Sequence, residues 1–210
     1  MPITMKSDYQ KLKDTEHGSC FIVGSGPSLD NIDAEKTTAG HPVFAINASI
    51  TLFKTATWIF KNMNARDQAL PHINPSWQPK RIFTREANVT RFKAWDGTET
   101  IGFNELQGEA YGKHTSATSA AKVALHLGYR TIYLLGMDCR ETPGIPYAKA
   151  LQFQNCIYTT PEKQKIYFDN FILDWKLLKS EFPNADIITM SPDFPVGIFP
   201  YKEVKEEFKT

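Results

Sequence analysis

The chain is poor in the residues that build metal centres and disulfide frameworks. Its three cysteines in 210 residues, Cys20, Cys139 and Cys156, share no Cys-x-x-Cys spacing. A zinc ribbon, an iron–sulfur cluster and a secreted disulfide scaffold are therefore not expected, and buried free thiols are. The five histidines form no His-Glu-x-x-His pair, and no Asp-x-Asp signature accompanies them. No metal-ligand set is read from the chain. An excess of charge is missing as well: 24 Lys and Arg against 23 Asp and Glu leave a formal net charge of +1. That balance gives no global field to attract nucleic acid or an anionic membrane. No apolar run approaches the roughly 18 residues of a membrane span, and residues 1–17 lack a signal-peptide core. A soluble cytoplasmic protein is the expectation. Three nucleotide and hydrolase signatures are absent too. There is no Gly-x-Ser-x-Gly elbow, no Gly-Lys-Ser/Thr of a P-loop, and no third glycine of the dinucleotide fingerprint.

What the chain does have is a short apolar run, Cys20 to Val23, that breaks into Gly24, Ser25, Gly26, Pro27 and Ser28. A nucleotide-phosphate site can begin in this way. The two glycines are expected to adopt φ > 0 and to admit a ligand where a Cβ would block it. Pro27 and Ser28 suit the first positions of a helix whose free N–H groups would face a phosphate. The competing reading is a plain tight turn after a strand.

Further strand-like runs occur at residues 43–46, 57–60, 81–84, 131–135 and 186–189. Helical patterns cover residues 115–127, which stop at Gly128, and residues 163–182, which stop before Pro183. Apolar strands alternating with helices imply a Rossmann-like, doubly wound α/β fold with a mainly parallel sheet, and 210 residues suit a single domain. Two intervals fit this scheme poorly. Residues 64–113 show one obvious strand among Pro, Asn and charged residues, and residues 141–160 contain Pro143, Gly144 and Pro146. Both are read as irregular insert or lid segments, the second as a mobile loop.

In a parallel sheet the residues after each strand meet at one edge, where ligands of such folds bind. Here they are the glycine turn, Asn47 and Ser49, Asn62 and Asn64, and Asp138 and Arg140, with Ser116 at a helix start and His114 just before it. Asn offers donors and acceptors to ribose or base edges. Taken singly, each of these residues also reads as a turn former.

The runs Ile22-Val-Gly-Ser-Gly-Pro-Ser-Leu-Asp-Asn-Ile-Asp33, Val43-Phe-Ala-Ile-Asn47, Ile59-Phe-Lys-Asn62, Thr115-Ser-Ala117 and Leu127-Gly-Tyr-Arg-Thr-Ile-Tyr-Leu-Leu-Gly-Met-Asp138 resemble the bacterial lipooligosaccharide sialyltransferases that use CMP-sialic acid. They also resemble a wider Rossmann-like group that includes archaeal pterin pyrophosphokinases and flagellin-glycosylation factors. The resemblance implies that Gly24, Ser25, Gly26, Pro27, Ser28, Asn47, Asn62 and Ser116 line a nucleotide pocket with Asp138 at its floor. Arg140 and Tyr147 fall about where the sialyltransferases place two tyrosines that stabilise the departing phosphate. The family's histidine base should precede the helix at 163–182, yet no histidine follows His126. Asp138, His114 and Tyr147 are the candidate bases, and the departing phosphate could itself take the acceptor proton.

The expected activity is transfer of a sugar from a nucleotide donor, with a CMP-sugar favoured, to a glycan or small-molecule acceptor. The donor is substrate, and no cofactor or metal is implied. The chain is compatible with a homo-oligomer. The alternatives are a Mg²⁺-dependent pterin-type pyrophosphokinase and a catalytically inactive nucleotide-binding protein, for which a phage origin would be compatible.

Overall fold

The computed structural model of the chain describes residues 7–89, 98–104, 115–138, 147–153 and 161–204. Seven strands form one sheet: β1 (Ser19–Val23), β2 (Val43–Ile46), β3 (Thr57–Phe60), β4 (Arg81–Arg85), β5 (Glu99–Phe103), β6 (Thr131–Leu135) and β7 (Asp186–Thr189). Their spatial order is β5-β4-β3-β2-β1-β6-β7, and every pairing is parallel. The chain winds outward from β1 to β5, crosses back, and continues on the other side of β1 with β6 and β7. The expected Rossmann-like α/β fold is therefore present. Its switch of direction lies between β1 and β6, so the connections leaving these two strands diverge and open a crevice beyond their carboxyl ends.

β1 is buried throughout, Cys20, Phe21, Ile22 and Val23 all being 0% exposed. Alternation sends Cys20 and Ile22 to one face and Phe21 and Val23 to the other. Cys20 is a free thiol, as expected, and burial pushes it well above the usual thiol range. Cys139 and Cys156 lie outside the described residues.

One face of the sheet is covered by long helices, α5 (Ser116–Leu127) and α6 (Pro161–Glu181), with the short α1 (Ser7–Lys11) beside them. α5 packs close because Ala117, Ala120, Ala121 and Ala124 face inward. Thr115 caps its start, accepting from Thr118 N–H at 3.3 Å. Its end is a Schellman-type turn at Gly128, φ 112°, with Tyr129 N–H donating to Ala124 O at 3.1 Å. Both ends match the sequence reading. His126, in the last turn of this helix, stacks on Tyr9 at 4.1 Å between ring centroids, which holds α1 in place. α6 carries the fully buried Trp175, ringed edge-on by Phe171, Phe194 and Phe199 at 5.6–5.9 Å.

The opposite face is covered by one-turn helices, among them α2 (Ala34–Thr37), and by α3 (Met63–Ala69). Among the described residues no helix is long and apolar enough to cross a membrane.

Two segments differ from expectation. The interval 64–113 holds two sheet strands, β4 and β5, as well as α3 and α4 (Glu86–Val89). β5 escapes a sequence reading because Gly102 interrupts it. The glycine is there for packing, since a Cβ would meet Val89 Cγ2 at 2.8 Å and Glu86 Cα at 2.9 Å as α4 crosses the strand. In the interval 141–160, the described residues 147–153 are seated rather than free, with Ala148 and Leu151 buried.

The buried Asp174 of α6 accepts from Thr115 N–H at 3.1 Å and Thr118 Oγ1 at 3.3 Å, which joins α6 to the start of α5. Asp174→Ala strands these buried donors and is expected to cost about 1–3 kcal/mol in urea unfolding. An unchanged midpoint and slope would show that the bonds contribute nothing net.

Candidate functional site

The exits of β1 and β6 are joined directly. Ser28 donates its backbone N–H at 2.9 Å and its hydroxyl at 2.8 Å to Asp138 Oδ2. Gly24 N–H donates to Leu135 O and Gly26 N–H to Gly136 O, each at 2.8 Å. The glycine turn is thus stitched to the end of β6, which changes the expected reason for its glycines. Gly26 has φ −68°, and Gly24 is not left-handed either. They are bare because of what lies behind them. A Cβ on Gly24 would fall against the Gly136 carbonyl and Met137 Sδ, and a Cβ on Gly26 against the Asp138 carboxylate. The left-handed glycine is Gly136, φ 61°, where a Cβ would strike Leu29 Cγ at 2.8 Å.

The expected helix at Pro27 is a single 3-10 turn, Pro27–Asn31, and the Ser28 N–H that was to face a phosphate is taken by Asp138. From Gly24 to Leu29, the Ser25 N–H is the backbone donor to which no acceptor is assigned among the described residues. Ser25 is half-buried, and its carbonyl accepts from Ala148 N–H at 2.8 Å. Lys149 N–H donates to Asp30 Oδ1 at 2.8 Å. These two bonds set the 147–151 segment against the glycine turn and bring Tyr147, partly buried, beside Ser25.

Asn47 leaves β2 with φ 52°, a left-handed conformation uncommon outside glycine and best tolerated by Asn and Asp. Its carbonyl accepts from Trp58 Nε1 at 2.8 Å, which holds the residue there, while its Oδ1 is buried without a partner. Asp138 Oδ1 is likewise buried and unpartnered. Two acceptor oxygens that lack donors therefore stand at the exits of strands on either side of the glycine turn. Such atoms are costly unless a ligand or water satisfies them. Ser49, by contrast, is structural: its buried hydroxyl lies 2.7 Å from Val23 O and 2.9 Å from Ile46 O.

Asn62 is exposed at the start of α3 and makes no side-chain cap. Ser116 is half-buried at the first position of α5, on the same edge. His114 and Arg140 lie outside the described residues. The sequence reading passed over the exit of β7, where Ser191 and Asp193 belong to the same edge. Ser191 Oγ accepts from Met137 N–H at 2.8 Å. The rule that located the other exits would have found these two had it been carried to the last strand.

Burial raises the Asp138 carboxyl above its ordinary value, and the charge of Asp193 adds to the rise against the pull of the Ser28 hydrogen bonds. The folded chain therefore holds this proton more tightly than the unfolded chain does. The resulting stability is present below about pH 3.9, the ordinary aspartate value, and is lost as pH rises from there through the higher folded value. Asp138→Asn, with its amide oxygen accepting from Ser28, removes that loss. In urea unfolding at a series of pH values, the variant is expected to gain on the native chain as pH rises from 3 to neutrality. A constant difference would mean that Asp138 is not destabilised as a carboxylate.

No protein-family model and no curated protein sequence matches the chain. Solved structures do. The sialyltransferase CstII from Campylobacter jejuni with cytidine 5′-monophosphate superposes with a TM-score of 0.56 at 19% identity, over 87% of this chain and 84% of that one. CST-II with a trisaccharide acceptor and CMP gives 0.56 at 21% identity over the same shares. The monofunctional alpha-2,3-sialyltransferase Cst-I from Campylobacter jejuni gives 0.55 at 21% identity, over 91% and 82%. At this identity the likeness establishes the fold, which is sialyltransferase-like. It bears on that part of the sequence resemblance and not on the pyrophosphokinase or flagellin-glycosylation parts.

Proposed function

We propose that the chain transfers a sugar from a CMP-linked donor to a hydroxyl of a glycan acceptor. The observation that carries this reading is the pair of unpartnered oxygens, Asn47 Oδ1 and Asp138 Oδ1, flanking the glycine turn at the switch point of the sheet. Both need hydrogen-bond donors, which a nucleoside offers through its ribose hydroxyls or an exocyclic amine and a bare phosphate does not. The fold neighbours are sialyltransferases solved with CMP and with an acceptor, which supports placing a nucleotide here.

In this reading the Ser25 N–H and the N-terminal end of α5 at Ser116 face the donor phosphate. Tyr147, beside Ser25, and Arg140 stabilise the charge that develops on the departing CMP. The acceptor oxygen bonds to the anomeric carbon as the bond from that carbon to the phosphate oxygen breaks.

CMP at 100 times its Kd is expected to stabilise the chain by about 2.7 kcal/mol in thermal or urea unfolding. UMP or GMP stabilising more than CMP would redirect the donor assignment. Turnover is expected to survive EDTA, whereas loss that Mg²⁺ restores would favour the pyrophosphokinase reading.

Tyr147→Phe tests the leaving-group role. It is expected to lower kcat about 10²-fold or more while CMP affinity changes little, as befits an interaction made chiefly in the transition state. A fall in CMP affinity with kcat intact would instead make Tyr147 a ground-state contact.

A further inference from the structure

α6 is apolar on two sides. Its inner side carries the fully buried Trp175, with Phe171 and Leu178. Its outer side carries Ile166, Leu173 and Leu177, which are 62%, 48% and 51% exposed. Of the five exposed large hydrophobic side chains among the described residues, three are these, so the exposure is concentrated on one helix. At 3.6 residues per turn, Ile166, Asn170, Leu173 and Leu177 fall within about 60° of one another around the helix axis, on the side away from Trp175. A surface helix ordinarily turns charged and polar residues to that side. A row of large apolar side chains there is unfavourable in water and marks a contact with another surface.

The spacing of the row says what kind of surface fits it. Steps of four, three and four residues are those of a coiled-coil seam, with Asn170 and Leu177 at a and Ile166 and Leu173 at d. Such a seam takes a helix that carries the same row, and a second copy of this chain supplies one. Charge sets the direction. Asp169 and Lys176, both exposed, hold the g positions along one flank of the row. With the two helices antiparallel about a two-fold axis between Asn170 and Leu173, Ile166 lies opposite Leu177 and Asn170 opposite Leu173. Asp169 of each copy then meets Lys176 of the other, twice over. Lys165 also donates to Asp169 at 2.8 Å along this flank, and a carboxylate with two oxygens has room for both cations. The two Asn170 residues stand about 4.5 Å apart along the axis, three residues at 1.5 Å each, where their amides can pair. With the helices parallel, Asp169 would instead approach Asp174 of the other copy, a like charge.

We propose that α6 is the contact of an antiparallel two-fold dimer of this chain, in which Ile166, Asn170, Leu173 and Leu177 of the two copies interleave beside two Asp169–Lys176 ion pairs. The outer row is thereby removed from water as the inner one is, and Asn170 fixes the register of an otherwise apolar seam. The contact faces away from the sheet and involves no residue of the crevice. It therefore stands apart from the sugar-transfer reading.

The test is sedimentation equilibrium of the full chain, without ligand, from micromolar to near-millimolar concentration. A dimer that dissociates reversibly on dilution is expected. Leu173→Glu changes an exposed side chain, and the fluorescence of the buried Trp175 checks that the variant is folded. It is expected to weaken the dimer by about 100-fold or more. Asp169→Lys and Lys176→Asp each turn two attractive pairs into two repulsive ones and are expected to weaken it by about tenfold. The double variant Asp169→Lys with Lys176→Asp restores the pairs with their signs exchanged, and its affinity is expected to return to within about threefold of the native value. A native chain that stays monomeric throughout overturns the proposal and leaves the row to a different occupant. A dimer that folded Leu173→Glu leaves intact has its contact elsewhere and overturns it too. A double variant no tighter than either single one overturns the antiparallel register.

Discussion

Two hydrogen bonds from Ser28 to one oxygen of Asp138 hold the site together. They join the exits of two paired strands whose connections diverge at the switch point of the sheet, and the neighbouring residues are shaped by that joint. Gly24 and Gly26 are bare because the β6 exit presses against them. Gly136 is left-handed, and its carbonyl accepts from Gly26 N–H while Leu29 fills the space a side chain would need. The glycine turn is therefore a seam between two strands before it is a cradle for a ligand. What it offers outward is narrower than its composition suggests, chiefly Ser25.

The two faces of the sheet bring rigidity to this edge by different means. α5 and α6 hold theirs with a layer of alanines and an aromatic ring around Trp175, and Asp174 locks the start of α5 where Ser116 meets the crevice. The other face relies on single helical turns and on the 147–151 segment, whose main-chain N–H groups donate to the Ser25 carbonyl and the Asp30 carboxylate. Tyr147 takes its place from a short tether rather than from a long element, so small shifts in the turn are transmitted to it.

Much of the architecture was legible because local signals and burial agreed. The caps at Thr115 and Gly128, the wholly apolar β1, and the run from Thr131 into Gly136 each point to one structure. β5 was not legible, because Gly102 answers to the approach of α4, a contact no local pattern contains. The conformation of Gly24 and Gly26 was misjudged for a similar reason: their small size serves a neighbour more than 100 residues away in sequence. The placement of Asp138, Ser28 and Asn47 at one edge of the sheet was legible from strand ends alone. That Ser28 would turn to Asp138 rather than to a ligand depends on β1 and β6 being neighbours. Nothing in either segment announces that pairing.

The pairing of β1 with β6 also bears on how the molecule forms. Ser28 and Asp138 are 110 residues apart, and β1 waits for a partner that follows four other strands in the chain. Contacts of such separation carry a large closure entropy and form late in folding. The half of the sheet from β1 to β5 can assemble through sequential neighbours, while the crevice exists only once β6 has docked. A chain stalled before that step would have most of its strands and no crevice, so the bonds from Ser28 to Asp138 would report completion of the fold where secondary-structure content would not.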